Sequence, residues 1–104
     1  MNQDIAFTAL ANSTRRQLLT LLLKGPCTAG DLATEFKLSR SAVSEHLGVL
    51  RRAQLVSDKQ IGRTRRYEIS GEAFQDINEW LEPFKNYWEK RMENLSDVLN
   101  EIPD

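Results

Sequence analysis

Cys27 and His46 are the only cysteine and the only histidine in the 104 residues. A lone cysteine excludes an intrachain disulfide and every multi-cysteine metal framework, and it fits a reducing compartment. Long apolar runs are missing as well. The longest, Leu18 to Leu23, is interrupted by Thr20 and falls far short of the roughly 20 residues that a membrane-spanning helix needs. The N-terminus has no basic region followed by an apolar stretch and a small-residue cleavage site, so a cytoplasmic chain without membrane insertion is expected. Also absent are a nucleophile with a base, a set of metal ligands and a glycine loop that would cradle phosphate. No enzyme, metal site or cofactor is expected.

What is present is charge, and it is unevenly placed. The formal net charge is −1, which by itself argues against a polyanion as partner. Residues 1–36 balance, with Arg15, Arg16 and Lys24 against Asp4, Asp31 and Glu35. Residues 37–70 carry eight basic side chains against three acidic ones, a net +5, whereas residues 71–104 carry three basic and nine acidic, a net −6. One segment suits a polyanion and the tail repels it.

Hydrophobic periodicity divides the chain into short helices, a hairpin and a helical tail. A short apolar-periodic stretch from Ile5 to Leu10 ends at Asn12-Ser13, either of which can cap the following helix. That helix runs to about Lys24, with Leu18, Leu19, Leu22 and Leu23 as one apolar stripe, and Gly25-Pro26 stops it. Thr28 with Asp31 three residues on resembles a capping box and opens a helix through Leu32, Ala33 and Phe36. Ser39 then caps a helix to about Ala53 with Val43, Leu47 and Leu50 at helical spacing. Two helices across a tight turn form the pattern of a helix-turn-helix. Leu55 to Ile61, Gly62-Arg63 and Thr64 to Ile69 read as a hairpin, hence a wing. From Phe74 to Ile102 the helical period returns, and Pro83 within it predicts either a kink near Glu82 or two helices meeting there. The fold class is mainly α with a small β-hairpin, a single winged helix-turn-helix domain. Residues 1–70 are its DNA-binding core and wing, and residues 71–104 a dimerisation tail.

On the helix over 39–53, Ser41, Ser44, Glu45, Gly48 and Arg52 lie opposite the apolar stripe. Its N-terminal half, beginning at Ser39, is short in side chain, so its backbone can approach a groove closely. Arg40 reaches a guanine edge or a phosphate, and Glu45 can accept from a cytosine amino group. Arg51 and Arg52 sit toward the helix end and are assigned to the phosphate backbone. In the wing, Lys59, Arg63, Arg65 and Arg66 suit phosphate or a narrow minor groove. A basic hairpin is also a soluble edge that resists aggregation, but beside a helix-turn-helix the DNA reading is preferred.

Other residues have plainer readings. His46 lies beside the apolar stripe and is expected to be packed or hydrogen-bonded. Cys27 sits at a helix N-terminus, which would favour its thiolate and permit redox sensing, against the ordinary reading of a buried, inert thiol. The aromatic stripe of Phe74, Trp80, Phe84, Tyr87 and Trp88 is read as a dimer seam in preference to a ligand pocket. The residues assigned to the seam are Phe74, Ile77, Leu81, Phe84, Trp88, Met92, Leu95 and Leu99.

Taken together, these blocks resemble the ArsR-type bacterial winged-helix repressors. The resemblance covers nearly the whole chain. It is carried by Asn12-Ser13-Thr14-Arg15-Arg16, Asp31-Leu32-Ala33, Leu38-Ser39-Arg40-Ser41-Ala42-Val43-Ser44-Glu45-His46-Leu47 and the wing Gly62-Arg63-Thr64-Arg65-Arg66-Tyr67. It implies a homodimer, formed by the terminal helices, that occupies an operator on double-stranded DNA and leaves it on a signal. Metal-sensing members use a Cys-x-Cys before the recognition helix, or Asp and His on the terminal helix. Here Thr28 and Gly30 stand where the cysteine pair would fall, and the terminal segment has no histidine. The DNA-binding role is therefore carried over and metal sensing is not. The releasing signal is left open between no effector, a small apolar ligand, oxidation of Cys27 and a protein partner that relieves repression. The competing function is a winged-helix module that binds an acidic protein with the same basic surface.

Overall fold

Three helices of the N-terminal half start where a side-chain oxygen takes up a backbone N–H that the first turn leaves unpaired. The computed structural model describes residues 3–101, with side chains described through residue 94. After α1 (Gln3–Leu10), the Asn12 side chain accepts from the Arg15 N–H at 3.0 Å and opens α2 (Ser13–Leu22). Thr28 and Asp31 form a complete capping box on α3 (Ala29–Phe36). The Asp31 N–H donates to Thr28 Oγ1 at 3.0 Å and the Thr28 N–H to Asp31 Oδ2 at 3.3 Å. Ser39 Oγ accepts from the Ala42 N–H at 3.0 Å and opens α4 (Arg40–Arg52).

Leu18, Leu32, Val43, Leu47, Leu50, Leu55 and Val56 are fully buried and form the centre of one core. Leu19, Leu22, Ala6, Ala9 and Ala33 close it from α1, α2 and α3. Leu23, expected in the same stripe, is instead 75% exposed. It lies one residue past the end of α2, and with Leu10, Leu19, Ile69 and Phe74 it borders an apolar hollow of about 230 Å³.

The hairpin of β2 (Val56–Ile61) and β3 (Thr64–Ile69) turns through Gly62-Arg63, with Gly62 at φ +61°, a left-handed conformation that costs glycine little. Val56 and Ile69 pair at its base and Ile61 and Thr64 at its tip. A further strand, β1 (Cys27–Thr28), adds to the far edge of β3 and gives an antiparallel sheet in the order β1-β3-β2. Periodicity does not announce β1, because two residues contain no alternation to detect.

Cys27, in that strand, is half-buried, and its Sγ lies 3.5 Å from the Gly25 carbonyl oxygen. Burial pushes its thiol pKa up and the nearby Asp31 carboxylate adds to the rise, while Arg66 pulls it partly back. The thiolate that a helix N-terminus would favour is thus disfavoured by desolvation and a like charge.

The last element, α5 (Gly71–Glu101), runs through Pro83 as a single helix, so of the two alternatives the one with two helices meeting near Glu82 does not hold. Proline leaves the Glu79 carbonyl without its intrahelical donor. That carbonyl lies on a stretch whose side chains, from residue 78 to residue 94, are all exposed, so water can take the donor's place. The first turns of α5 belong to the core: Ala73 and Ile77 are buried, and Trp80 packs edge-on against Phe7 of α1 with centroids 5.3 Å apart. Among the described residues no helix is long and apolar enough to cross a membrane, and no group of three or more His, Cys, Asp or Glu side chains is placed to hold a metal.

Two outcomes are expected. Thr28→Ala removes one half of the capping box and costs about 1 kcal/mol, which lowers Tm by roughly 4–8 °C in a thermal melt of a domain this small. With its pKa raised, Cys27 stays protonated at neutral pH. Iodoacetamide should therefore alkylate it more slowly than free cysteine at pH 8, with a rate midpoint displaced to higher pH, and a rate at or above that of free cysteine would contradict the burial described.

Candidate nucleic-acid interface

Packing of Val43, Leu47 and Leu50 into the core decides which side of α4 faces out. The link from α3 is only Lys37, Leu38 and Ser39. Lys37 takes a left-handed conformation at φ 55°, and the Leu38 N–H returns to the Ala33 carbonyl at 3.0 Å, which closes the end of α3 and redirects the chain into α4. Ser39, Arg40, Ser41, Ser44 and Glu45 are all exposed at the start of α4, and Arg51 and Arg52 are exposed at its end.

Arg40 folds back over α3. A Cβ at Gly30 would lie 3.1 Å from Arg40 Nη2, so the glycine leaves room for the guanidinium at the rim of an open hollow lined by Thr28, Asp31 and Thr34. Below it, Arg15 ties three helices together. Its Nε donates to the Ala9 carbonyl at 2.7 Å, its Nη2 donates to the Thr8 carbonyl at 3.3 Å, and its Nη1 lies 3.4 Å from His46 Nδ1 on α4. His46 is half-buried in that contact, in keeping with a structural histidine. The role of Arg15 escapes a sequence reading because the carbonyls it meets are freed only by the end of α1.

The register of the wing sorts its cations. Lys59 pairs directly with Arg66, and Arg66 also neighbours Thr28 of β1, so these two cations share one face of the sheet. Asp58 pairs with Tyr67 and lies on the opposite face with Arg65. There the Asp58 carboxylate forms ion pairs with Arg65 and, at 3.4 Å, with Arg51 from the last turn of α4. Lys59, Arg63, Arg66 and Arg52 form no ion pair among the described residues. Expected together as phosphate ligands, the basic residues thus fall into two sets: those that are open, and the pair Arg51 and Arg65 joined through one carboxylate. A signal for this existed in the sequence, since the Gly62-Arg63 turn fixes the register that puts residues 58 and 65 on one face.

On α5, the residues assigned to the seam also divide. Phe74 is half-buried and Ile77 buried against the core of their own chain. Leu81, Phe84, Trp88 and Met92, together with Trp80 and Tyr87, are exposed, from 37% at Leu81 to 61% at Trp88. Leu95 and Leu99 lie outside the residues whose side chains are described.

Comparison with known proteins agrees with this geometry. Residues 12–58, from the cap of α2 into β2, match the model of the arsR family of bacterial regulatory proteins. The chain is 38% identical over 80 residues to the transcriptional repressor SdpR of Bacillus subtilis, an alignment covering 77% of this chain and 89% of the relative. To the HTH-type transcriptional regulator Rv2034 of Mycobacterium tuberculosis it is 34% identical over 101 residues, covering 97% of this chain and 92% of the relative. Its fold superposes with a TM-score of 0.66 and 26% identity on the homodimeric winged helix-turn-helix DNA-binding domain of Mb0332 from Mycobacterium bovis, covering 80% of this chain and 77% of the other. The chain belongs to the arsR family of bacterial regulatory proteins, as a winged helix-turn-helix regulator of transcription and not an enzyme.

Proposed function

We propose that this chain is a repressor that binds double-stranded DNA as a homodimer, on a near-palindromic operator in the cytoplasm. The recognition helix α4 enters the major groove, and the wing rests on the phosphate backbone or in the minor groove. The observation that carries this reading is the separation of charge along the fold. Exposed cations of α4 and the wing lie within residues 37–70, net +5, while residues 71–104 carry the net −6. Steering by such a field survives a net charge near zero, because a duplex responds to the face it meets.

Each side chain has an assigned task. Ser39, Ser41 and Ser44 keep the start of α4 slim enough for close approach, Arg40 and Glu45 reach base edges, and Arg52, Lys59, Arg63 and Arg66 neutralise phosphates. Residues 71–104 act as the dimerisation tail. Six large apolar or aromatic side chains exposed on a single helix are more than a monomer ordinarily leaves in water, and a second copy covers them. The homodimeric state named for Mb0332 supports this choice. Two recognition helices then address half-sites about one helical turn apart, which is why the operator is expected to be near-palindromic.

Selection from a randomised duplex pool tests the reading as a whole. An enriched inverted repeat is expected, whereas equally weak binding of all duplexes at physiological salt would leave a protein-binding module as the better account. Arg40→Ala should cost roughly 1–3 kcal/mol on the enriched duplex and little on a shuffled one. Arg66→Ala should weaken both alike and flatten the salt slope by about one. Trp88→Ala should move the protein toward monomer in light scattering, and a dimer of unchanged stability would contradict the seam.

A further inference from the structure

Asp58 is the one acidic side chain set between the wing and the recognition helix. Its side chain is only 14% exposed, whereas those of Arg51 and Arg65, which hold its carboxylate from two different elements, are 52% and 49% exposed. As a contribution to folding, ion pairs with arginines this open to water are worth little. Their consequence lies in where the guanidinium groups are held. Each arginine meets the same carboxylate oxygen, Asp58 Oδ2, through a single nitrogen, Nη1, and an N–H so engaged, its charge partly compensated, is withheld from a phosphate. The carboxylate also joins the last turn of α4 to the middle of the hairpin.

We propose that Asp58 is a specificity-determining residue: by holding Nη1 of both Arg51 and Arg65 it suppresses sequence-independent phosphate binding. This rests on the DNA-binding reading given above. Attraction to phosphate is the same for every sequence, so each cation left free raises binding to all duplexes and dilutes the preference set by Arg40 and Glu45. Lys59, Arg63 and Arg66, on the opposite face and at the tip, are the wing cations that remain for the backbone.

The experiment is a salt titration of the full chain against two duplexes, the sequence that the wild-type protein enriches from a randomised pool and a shuffled duplex of the same length and composition. Asp58→Asn keeps the shape and removes the charge. It should bind the shuffled duplex roughly 3–10-fold tighter, with a salt slope steeper by about one to two, and gain less on the enriched duplex, so that the ratio of the two affinities falls. Asp58→Glu, which restores a carboxylate, should return both slope and ratio toward wild type. Arg65→Ala is the independent arm: with its Nη1 held and its charge compensated by Asp58, its loss should leave the slope on the shuffled duplex unchanged. The proposal is overturned if Asp58→Asn binds the shuffled duplex with wild-type affinity and slope, or if Arg65→Ala flattens that slope by about one as a phosphate ligand would. A wild-type protein that enriches no sequence overturns the operator reading itself, and the specificity role with it.

Discussion

Three side chains on one face of α4, Val43, Leu47 and Leu50, fix what the other face can do. All three are fully buried, and they meet Leu18 and Leu32 from the preceding helices. Burying each stabilises the fold by about 1.5–3 kcal/mol, enough to hold the helix in one rotational setting. Ser41, Ser44 and Glu45 are exposed as a consequence, since they lie on the side those three leave over. The short turn at Lys37 to Ser39 gives the helix its direction, and Leu55 and Val56, in the same core, anchor the strand from which the wing projects. The recognition surface is therefore rigid at its base and free only in the ends of its longer side chains.

Much of this was legible in the sequence because it is local. Asn12, Thr28 and Ser39 mark helix starts through hydrogen bonds that reach three residues along the chain, and Gly62 marks a turn through its own backbone preference. The apolar spacing of Val43, Leu47 and Leu50 gave the orientation of α4 for the same reason. What escaped depends on tertiary placement. β1 exists only because β3 passes beside it, and Leu23 is exposed although it continues the apolar stripe of α2. The raised pKa of Cys27 comes from burial and the approach of Asp31, both matters of tertiary placement.

The interface shows the same division. Counting charge between residues 37 and 70 located the basic surface but treated every arginine alike. Strand register separates them, placing Lys59 and Arg66 on one face and leaving Arg65 beside Asp58 on the other. Along α5, one periodic apolar stripe serves two purposes in succession. Ile77 packs into its own chain, and from Leu81 to Met92 the same stripe faces outward. Periodicity reports that a face is apolar without reporting what covers it.

The claim on which the account turns is that two copies of α4 read one duplex together, and hydroxyl-radical footprinting on the enriched sequence tests it most directly. The account predicts two protected backbone segments on one face of the duplex, related by a two-fold axis and about 10 base pairs apart, appearing together as protein is added. A single protected segment, or two that fill independently at different protein concentrations, would contradict it.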